Sequence, residues 1–209
     1  MVVRGEASRE VPPEQAIFSV SVSARDRDQE AVVARLTERS AALRAVLDGY
    51  GAAIVRRETS GLQVYPELKR GSERLVAYTG SIGTTVTVTD FAALGLMMPR
   101  LAGLEQVSLA GPWWRLSPGS KAGADVRRAA ITDALERARE YAAAVGARVD
   151  RLIEIADTVP GRGDMMMRMA IGGEVDDGEN IELDPQQQTV EASVTVRVTI
   201  TEPDLGVPD

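Results

Sequence analysis

The sequence of 209 residues contains neither cysteine nor histidine. Without cysteine the chain forms no disulfide and no thiolate metal site. Without histidine it lacks the usual general base, the Ser-His-Asp and Cys-His nucleophile systems, and the commonest ligand of zinc and iron. An enzyme made from this chain would depend on carboxylates, two lysines, hydroxyl groups or a borrowed cofactor. We therefore predict a protein that is not an enzyme and holds no cofactor or metal ion.

Positive charge and long apolar runs are also scarce. The chain has 24 Lys and Arg against 31 Asp and Glu, a formal net charge of −7. A nucleic-acid groove and an anionic membrane surface both require clustered basic side chains, so neither partner is expected. No apolar run approaches the ~20 residues of a transmembrane helix. No export signal precedes the first strand, which predicts a cytoplasmic location; the alternative is the periplasm or cell envelope if a leader was removed.

The most regular pattern in the chain is the alternation of apolar and polar side chains over residues 189–201. A period of two, rich in β-branched residues, indicates a strand with one buried face in an antiparallel sheet. Similar alternation predicts strands over residues 16–24 and 75–89. Further strands are expected at about 54–65, where Pro66 stops the strand, and at 106–116 and 148–159.

Helical patterns separate these strands. Asp26 and Gln29 stand at capping-box spacing before a helix that ends near Gly49, and Asp90 is the predicted N-cap of a short second helix. The longest helix is predicted at about 121–145. One of its faces is made mostly of alanine, which lets a helix lie close to a sheet. That face carries Val126, Ala130, Ala134, Ala138, Ala142 and Val145.

The order of elements is strand-helix-strand-strand, a short helix, then strand-helix-strand-strand again. We interpret this as one α+β domain over residues 1–209, with pseudo-repeats at about 15–90 and 105–201. The expected architecture is antiparallel sheet, in one or more layers, with the helices packed on one face. Residues 160–188 show no period, and loops of this length are usually functional or mobile. We predict a mobile loop there.

Several short motifs, taken in order, resemble one family. Val3-x-Gly5-Glu6 precedes Pro13-Glu-Gln-Ala16, a Tyr78-containing strand leads to Val86–Phe91, and an alanine-rich helix precedes Val145-Gly146. A Met-rich loop then precedes residues 188–194. This order resembles the SIMPL-domain family, which includes periplasmic immunogenic proteins of Gram-negative bacteria and a mammalian kinase-associated signalling protein. The resemblance implies an α+β fold, no established catalytic residues and, in some periplasmic members, ring- or channel-like oligomers.

The Met-rich loop is the first candidate site. Thioether sulfurs suit Cu(I), and they also form adaptable apolar contacts with another subunit. The absence of histidine and cysteine favours the contact over the metal. The methionines concerned are Met165, Met166, Met167 and Met169.

Trp113 and Trp114 form a second candidate interface. They are adjacent on a predicted strand, so one side chain enters the core and the other lies on the second face of the sheet. The polar faces of three strands are also short and uncharged, which favours contact with another sheet or subunit; the alternative is that Ser and Thr simply suit strands. These residues are Ser19, Ser21, Ser23, Thr85, Thr87, Thr89, Ser193, Thr195 and Thr199.

Two functions fit these observations. The first is a non-enzymatic SIMPL-type protein that acts by self-association, as a homo-oligomer, or by binding a protein partner. The second is a small-molecule or soft-metal binding module that uses the Met-rich loop at 165–169. A carboxylate-dependent hydrolase is the least favoured function, because no pair of acids stands out by its position.

Overall fold

The computed structural model of the protein describes residues 1–71, 73–157, 181–204 and 206. Seven strands and three helices lie in these ranges, and every strand pair is antiparallel. The α+β class predicted from the sequence is therefore confirmed. The elements are β1 (Val2–Val11), β2 (Gln15–Asp26), α1 (Gln29–Asp48), β3 (Ile54–Leu68), β4 (Leu75–Val88), α2 (Phe91–Ala102), β5 (Val107–Arg115), α3 (Ala122–Ala144), β6 (Val149–Asp157) and β7 (Gln188–Ile200).

The chain divides into two compact units, each with its own sheet. The first, here called the three-stranded unit, contains α3 and a sheet with the strand order β1-β7-β6. The second, here called the four-stranded unit, contains α1, α2 and a sheet with the order β3-β4-β2-β5. The two units are described separately below.

A βαββ repeat is present, but its second copy differs from the predicted one. In the four-stranded unit the repeat is β2-α1-β3-β4, and its strands lie in the order β3-β4-β2. In the three-stranded unit the strands lie in the order β6-β7-β1. The position that corresponds to β2 is therefore taken by β1, whereas the order of elements along the chain predicts β5 there. β1 pairs with β7 from Val2↔Arg197 to Val11↔Gln188, whereas β5 pairs with β2. The second pseudo-repeat at about 105–201 stays a prediction.

The core of the four-stranded unit lies between its sheet and the two helices. β2 is a central strand, and its inward residues from Ala16 to Val22 are fully buried. Burial of large apolar side chains from α1 and α2 against this strand supplies the main stabilisation of the unit. The largest fully buried side chains there are Phe18, Val20, Val22, Val32, Leu36, Leu47, Val86, Val88, Leu94, Met97 and Leu101.

The start of α1 differs by two residues from its prediction. Asp28, not Asp26, is the N-cap, and its side chain accepts a hydrogen bond from the backbone N–H of Glu30 at 3.1 Å. Asp26 is still in β2, where it accepts a hydrogen bond from the backbone N–H of Asp28. The N-cap of α2 is Asp90, as predicted, and it accepts from the N–H of Ala93.

Two further boundaries differ from the sequence patterns. β3 continues through Pro66 to Leu68, because β3 is an edge strand and an edge position tolerates the missing N–H of proline. Residues 181–187 belong to the predicted mobile loop, yet Ile181 and Leu183 pack against the core of the four-stranded unit. The N–H of Ile181 also donates to the carbonyl of Gly95 at 3.2 Å. The remainder of that predicted loop, up to residue 180, lies outside the described residues.

The three-stranded unit is built on the close approach of α3 to its sheet. Ala130, Ala134 and Ala138 on α3 are fully buried, as the alanine pattern predicts. They pack against the inward side chains of the central strand β7, Val194, Val196 and Val198. Small side chains on the helix are what permit this spacing, so the fold of the unit depends on them.

Candidate functional site

Edge strand β6 presents the most concentrated group of exposed apolar side chains in the three-stranded unit. Leu152, Ile153 and Ile155 are 45%, 49% and 45% exposed. Within the part of the chain that the structure describes, β6 pairs only with β7, so its outer backbone edge is unpaired there. An unpaired edge with large apolar side chains is a template for pairing with another strand.

The exposure of β6 follows from the position of α3. Leu152 and Ile155 pair in register with Val198 and Val196, which are buried under α3. The two β6 side chains therefore lie on the helix-facing side of the sheet. α3 packs mainly over β1 and β7, however, and leaves this part of the sheet uncovered. Strand β6 thus carries a core-type sequence at a position that no described element of the unit covers.

The edge strand of the four-stranded unit is also apolar, but it is interrupted. Val55, Leu62, Tyr65 and Leu68 on β3 are each more than half exposed. Pro66 removes one backbone donor, and the pairing of β3 with β4 shifts register at three places along the strand. Prolines and bulges are the features by which natural edges avoid pairing with other chains. The pairing of β6 with β7 also shifts register, at two places, but β6 contains no proline and keeps all its backbone donors. On that ground β6 is the better candidate of these two edges for an interaction.

The two tryptophans lie on opposite faces of the sheet in the four-stranded unit. Trp114 pairs with the buried Ala16 and packs against the core, where its ring meets Phe91 edge-on with a centroid distance of 4.9 Å. Trp113 pairs with Ile17 on the face away from the helices and is half-buried. A role for Trp113 and Trp114 as an interface stays a prediction.

The short uncharged residues noted in the sequence belong to two different sheets. Ser19 pairs with Thr85, and Ser23 pairs with Ser81, on the open face of the four-stranded unit. Thr195 and its neighbours on β7 belong to the three-stranded unit. The uncharged faces therefore do not form one continuous surface within a single sheet.

The Met-rich loop cannot be placed. Met165, Met166, Met167 and Met169 lie outside the described residues. Within the ranges given above, no group of three or more His, Cys, Asp or Glu side chains is arranged to hold a metal ion.

The described acids with displaced pKa values are held in surface hydrogen bonds. A bond from the Asp28 N–H lowers the pKa of Asp26, and the Arg25 guanidinium lowers the pKa of Glu67 through a hydrogen bond of 2.7 Å. In the three-stranded unit the N–H of Glu6, 2.9 Å away, lowers the pKa of Asp133. A lowered pKa keeps a carboxylate ionised near neutral pH, which does not suit a proton donor. These shifts are those expected of structural carboxylates.

The geometry agrees with a comparison against protein families. The model of the SIMPL family, described as a protein of unknown function (DUF541), matches residues 1–198. The chain belongs to the SIMPL family. The match covers both compact units of this SIMPL protein, including β1 and β7, which pair across almost the whole length of the chain. No curated protein matches the sequence.

Among the described residues, none of the three helices has the length and apolarity needed to cross a bilayer.

The sequence did not single out β6 as a candidate site, although a signal for it was present. Leu152 and Ile153 are adjacent, so a strand that contains both exposes apolar side chains on two faces. Such a strand is either covered on both sides or left with an apolar surface. Which of these holds depends on where α3 lies, and that position is not encoded locally.

Proposed function

We propose that this SIMPL protein is not an enzyme and acts by binding protein, in the first place a second copy of itself, through the edge of β6. The observation that supports this proposal is the set of Leu152, Ile153 and Ile155 on an unpaired edge of the described sheet. Strand pairing satisfies the backbone donors and acceptors of the edge and removes these side chains from water.

A second copy is the favoured partner because β6 is self-complementary in its backbone. Two antiparallel copies of one edge strand present the same donors and acceptors to each other about a twofold axis, which is the commonest symmetry of oligomers. Repulsion within the pair is limited, since Glu154 lies 3.5 Å from Arg197 on β7, which compensates its charge. The same edge can also accept an extended segment of a different protein, and the experiment below separates these outcomes.

The experiment compares the purified chain with Ile153→Lys over a concentration series, by light scattering and sedimentation. We expect wild type to exceed the monomer mass, and the charged side chain to raise the dissociation constant about tenfold or more, because a lysine cannot be buried cheaply in a paired edge. Val33→Lys is the matched control, since Val33 on α1 is equally exposed at 49%. It should leave the mass unchanged.

The proposal fails if wild type remains monomeric up to millimolar concentration, or if both variants change the mass equally. A third outcome is a monomer whose melting temperature rises when an extended peptide is added, with no rise in Ile153→Lys. This outcome would retain the edge of β6 as the binding site, but its partner would be a different protein and not a second copy.

The proposal that the protein is not an enzyme is supported by the absence of His and Cys and by the lowered pKa values of three described carboxylates. Enzymatic turnover by the purified chain that is lost when one described carboxylate is substituted would overturn this part of the proposal.

A further inference from the structure

A cavity of about 190 Å³ lies inside the four-stranded unit, between the second half of α1 and strands β3 and β4. At ~30 Å³ per water it has room for about six waters, well below the ~300 Å³ at which pockets for drug-sized ligands begin. The cavity exists because α1 packs mainly over β2 and β4 and leaves the edge strand β3 partly uncovered. Its size restricts any occupant to a small molecule.

The cavity is lined by hydroxyl groups at positions where the alternation of β4 and the apolar stripe of α1 predict apolar side chains. Thr84 lies between Ile82 and Val86 on the helix-facing side of β4, and its cross-strand partner is Thr59 on β3. From the opposite wall, Ser40 stands within the buried stripe of α1 and is only 7% exposed. Three elements thus contribute polar side chains to the lining of one cavity.

The hydroxyl of Ser40 is the most informative of these groups. Its Oγ is fully buried and has no hydrogen-bond partner among the residues that the structure describes. A buried hydroxyl without a partner is unfavourable, and native proteins rarely keep one without a ligand or water to satisfy it. Ser40 therefore places an unsatisfied hydroxyl group in the wall of the cavity.

Two arginines give the cavity its charge. Arg44 follows Ser40 by one helical turn and lines the same cavity. Its guanidinium makes no ion pair or hydrogen bond with the described residues. Arg57 reaches the cavity from β3 and is held there by Asp48 at 2.8 Å, which occupies one of its donors among the described residues. In a chain with a net charge of −7, two converging guanidinium groups are a local exception.

We propose that this cavity binds a small organic anion. Its carboxylate or phosphate group accepts hydrogen bonds from Arg44 and Arg57, since a guanidinium presents donors in the geometry that matches such oxyanions. A short apolar part of the ligand lies against Leu43, Leu47 and Ile82, and a ligand oxygen satisfies the hydroxyl of Ser40. The cavity belongs to the four-stranded unit, whereas the edge of β6 belongs to the three-stranded unit.

The test is a titration of the full chain, labelled with ¹⁵N, with butyrate, its neutral isostere butyramide, and inorganic phosphate, at constant ionic strength. We expect butyrate or phosphate to move the amide resonances of Ser40, Arg44, Thr59 and Thr84, and butyramide to bind about tenfold more weakly or worse. The butyrate and phosphate arms decide which oxyanion the site prefers. Equal shifts with butyrate and butyramide would overturn the proposal, as would no shift with any probe.

Variants separate this site from general charge effects. Arg44→Gln should weaken anion binding by about tenfold or more, whereas Arg139→Gln, an equal change of charge at an exposed position of α3, should leave it unchanged. Equal effects of the two variants would contradict a specific site.

Ser40→Ala should weaken binding without lowering the melting temperature of the free protein, because no hydrogen bond within the described residues is lost. A clear loss of stability would assign Ser40 a structural role instead.

Discussion

Gly5 in β1 lies directly against Ala134 in α3: a Cβ atom added to the glycine would be 2.5 Å from the backbone N and 2.6 Å from the Cβ of Ala134. Real Cβ atoms do not approach other atoms this closely. Position 5 therefore requires glycine, because any side chain there would overlap α3. The contact joins the first strand of the chain to its longest described helix. Neither Gly5 nor Ala134 can be enlarged without separating the two elements.

We expect Gly5→Ala to destabilise the protein by about 1–3 kcal/mol, since backbone and not a flexible side chain must move to accept the methyl group. Urea denaturation measures the change. Gly61→Ala is the control, because Gly61 also lies in a strand and nothing is within 4 Å of its added Cβ. That variant should be neutral or slightly stabilising. Similar losses in both variants would mean that strand propensity, and not the contact with α3, is responsible.

The regular features of this fold could be predicted because they are local. The alternation over residues 189–201 gives β7, and the alanine face of the long helix gives the side of α3 that is buried. The partner of β1 could not be predicted, because Val2 and Arg197 come together only through long-range pairing that no short motif specifies. For the same reason, how the strands divide between two sheets could not be predicted.

The candidate sites were less predictable than the fold. The exposure of Leu152 and Ile155 depends on where α3 lies, and the cavity beside Ser40 depends on which strands α1 covers. Both are consequences of packing between elements. Each site had a weak local signal. Leu152 and Ile153 are adjacent apolar residues on β6. At the cavity, Thr84 interrupts the apolar face of β4, and Ser40 interrupts the apolar stripe of α1. Such interruptions are common in strands and helices, so the pattern alone did not identify a site.

The acid sensitivity of the protein should depend partly on Asp133. Its carboxylate accepts hydrogen bonds from the Glu6 N–H and from Arg137, so its pKa in the folded state lies below the ordinary value of 3.8. A lowered pKa gives stability that is present above the unfolded-state pKa and is lost as pH falls through the folded-state pKa. Wild type should therefore lose this contribution only below about pH 4.

Asp133→Asn tests this by removing the charge while keeping an acceptor. The melting temperature of the variant should lie below that of wild type at pH 7, and the difference should shrink as pH falls below the ordinary carboxylate range. Melting curves between neutral pH and pH 3 measure it. A difference that stays constant over that range would show that the ionised form of Asp133 contributes nothing specific.

The N-terminus of α1 should depend on Asp28. Removing an N-cap side chain leaves a backbone donor in the first turn without its partner, so Asp28→Ala should destabilise the protein by about 1 kcal/mol. Asp28→Asn should retain most of the stability, because the amide oxygen still accepts from the Glu30 N–H. Chemical denaturation of the two variants measures the difference. Equal stability of Asp28→Ala and wild type would place the cap elsewhere.

The two adjacent tryptophans should differ in their contribution to stability. Trp114→Ala removes the edge-on contact with Phe91 and leaves a cavity in the apolar core of the four-stranded unit, so we expect a loss of about 3 kcal/mol. Trp113→Ala acts on the open face beside Ile17 and should cost about 1 kcal/mol or less. Guanidinium denaturation gives both values. If the two losses are equal, Trp113 is also covered in solution, and the open face of this sheet then becomes a second surface at which copies of the chain meet.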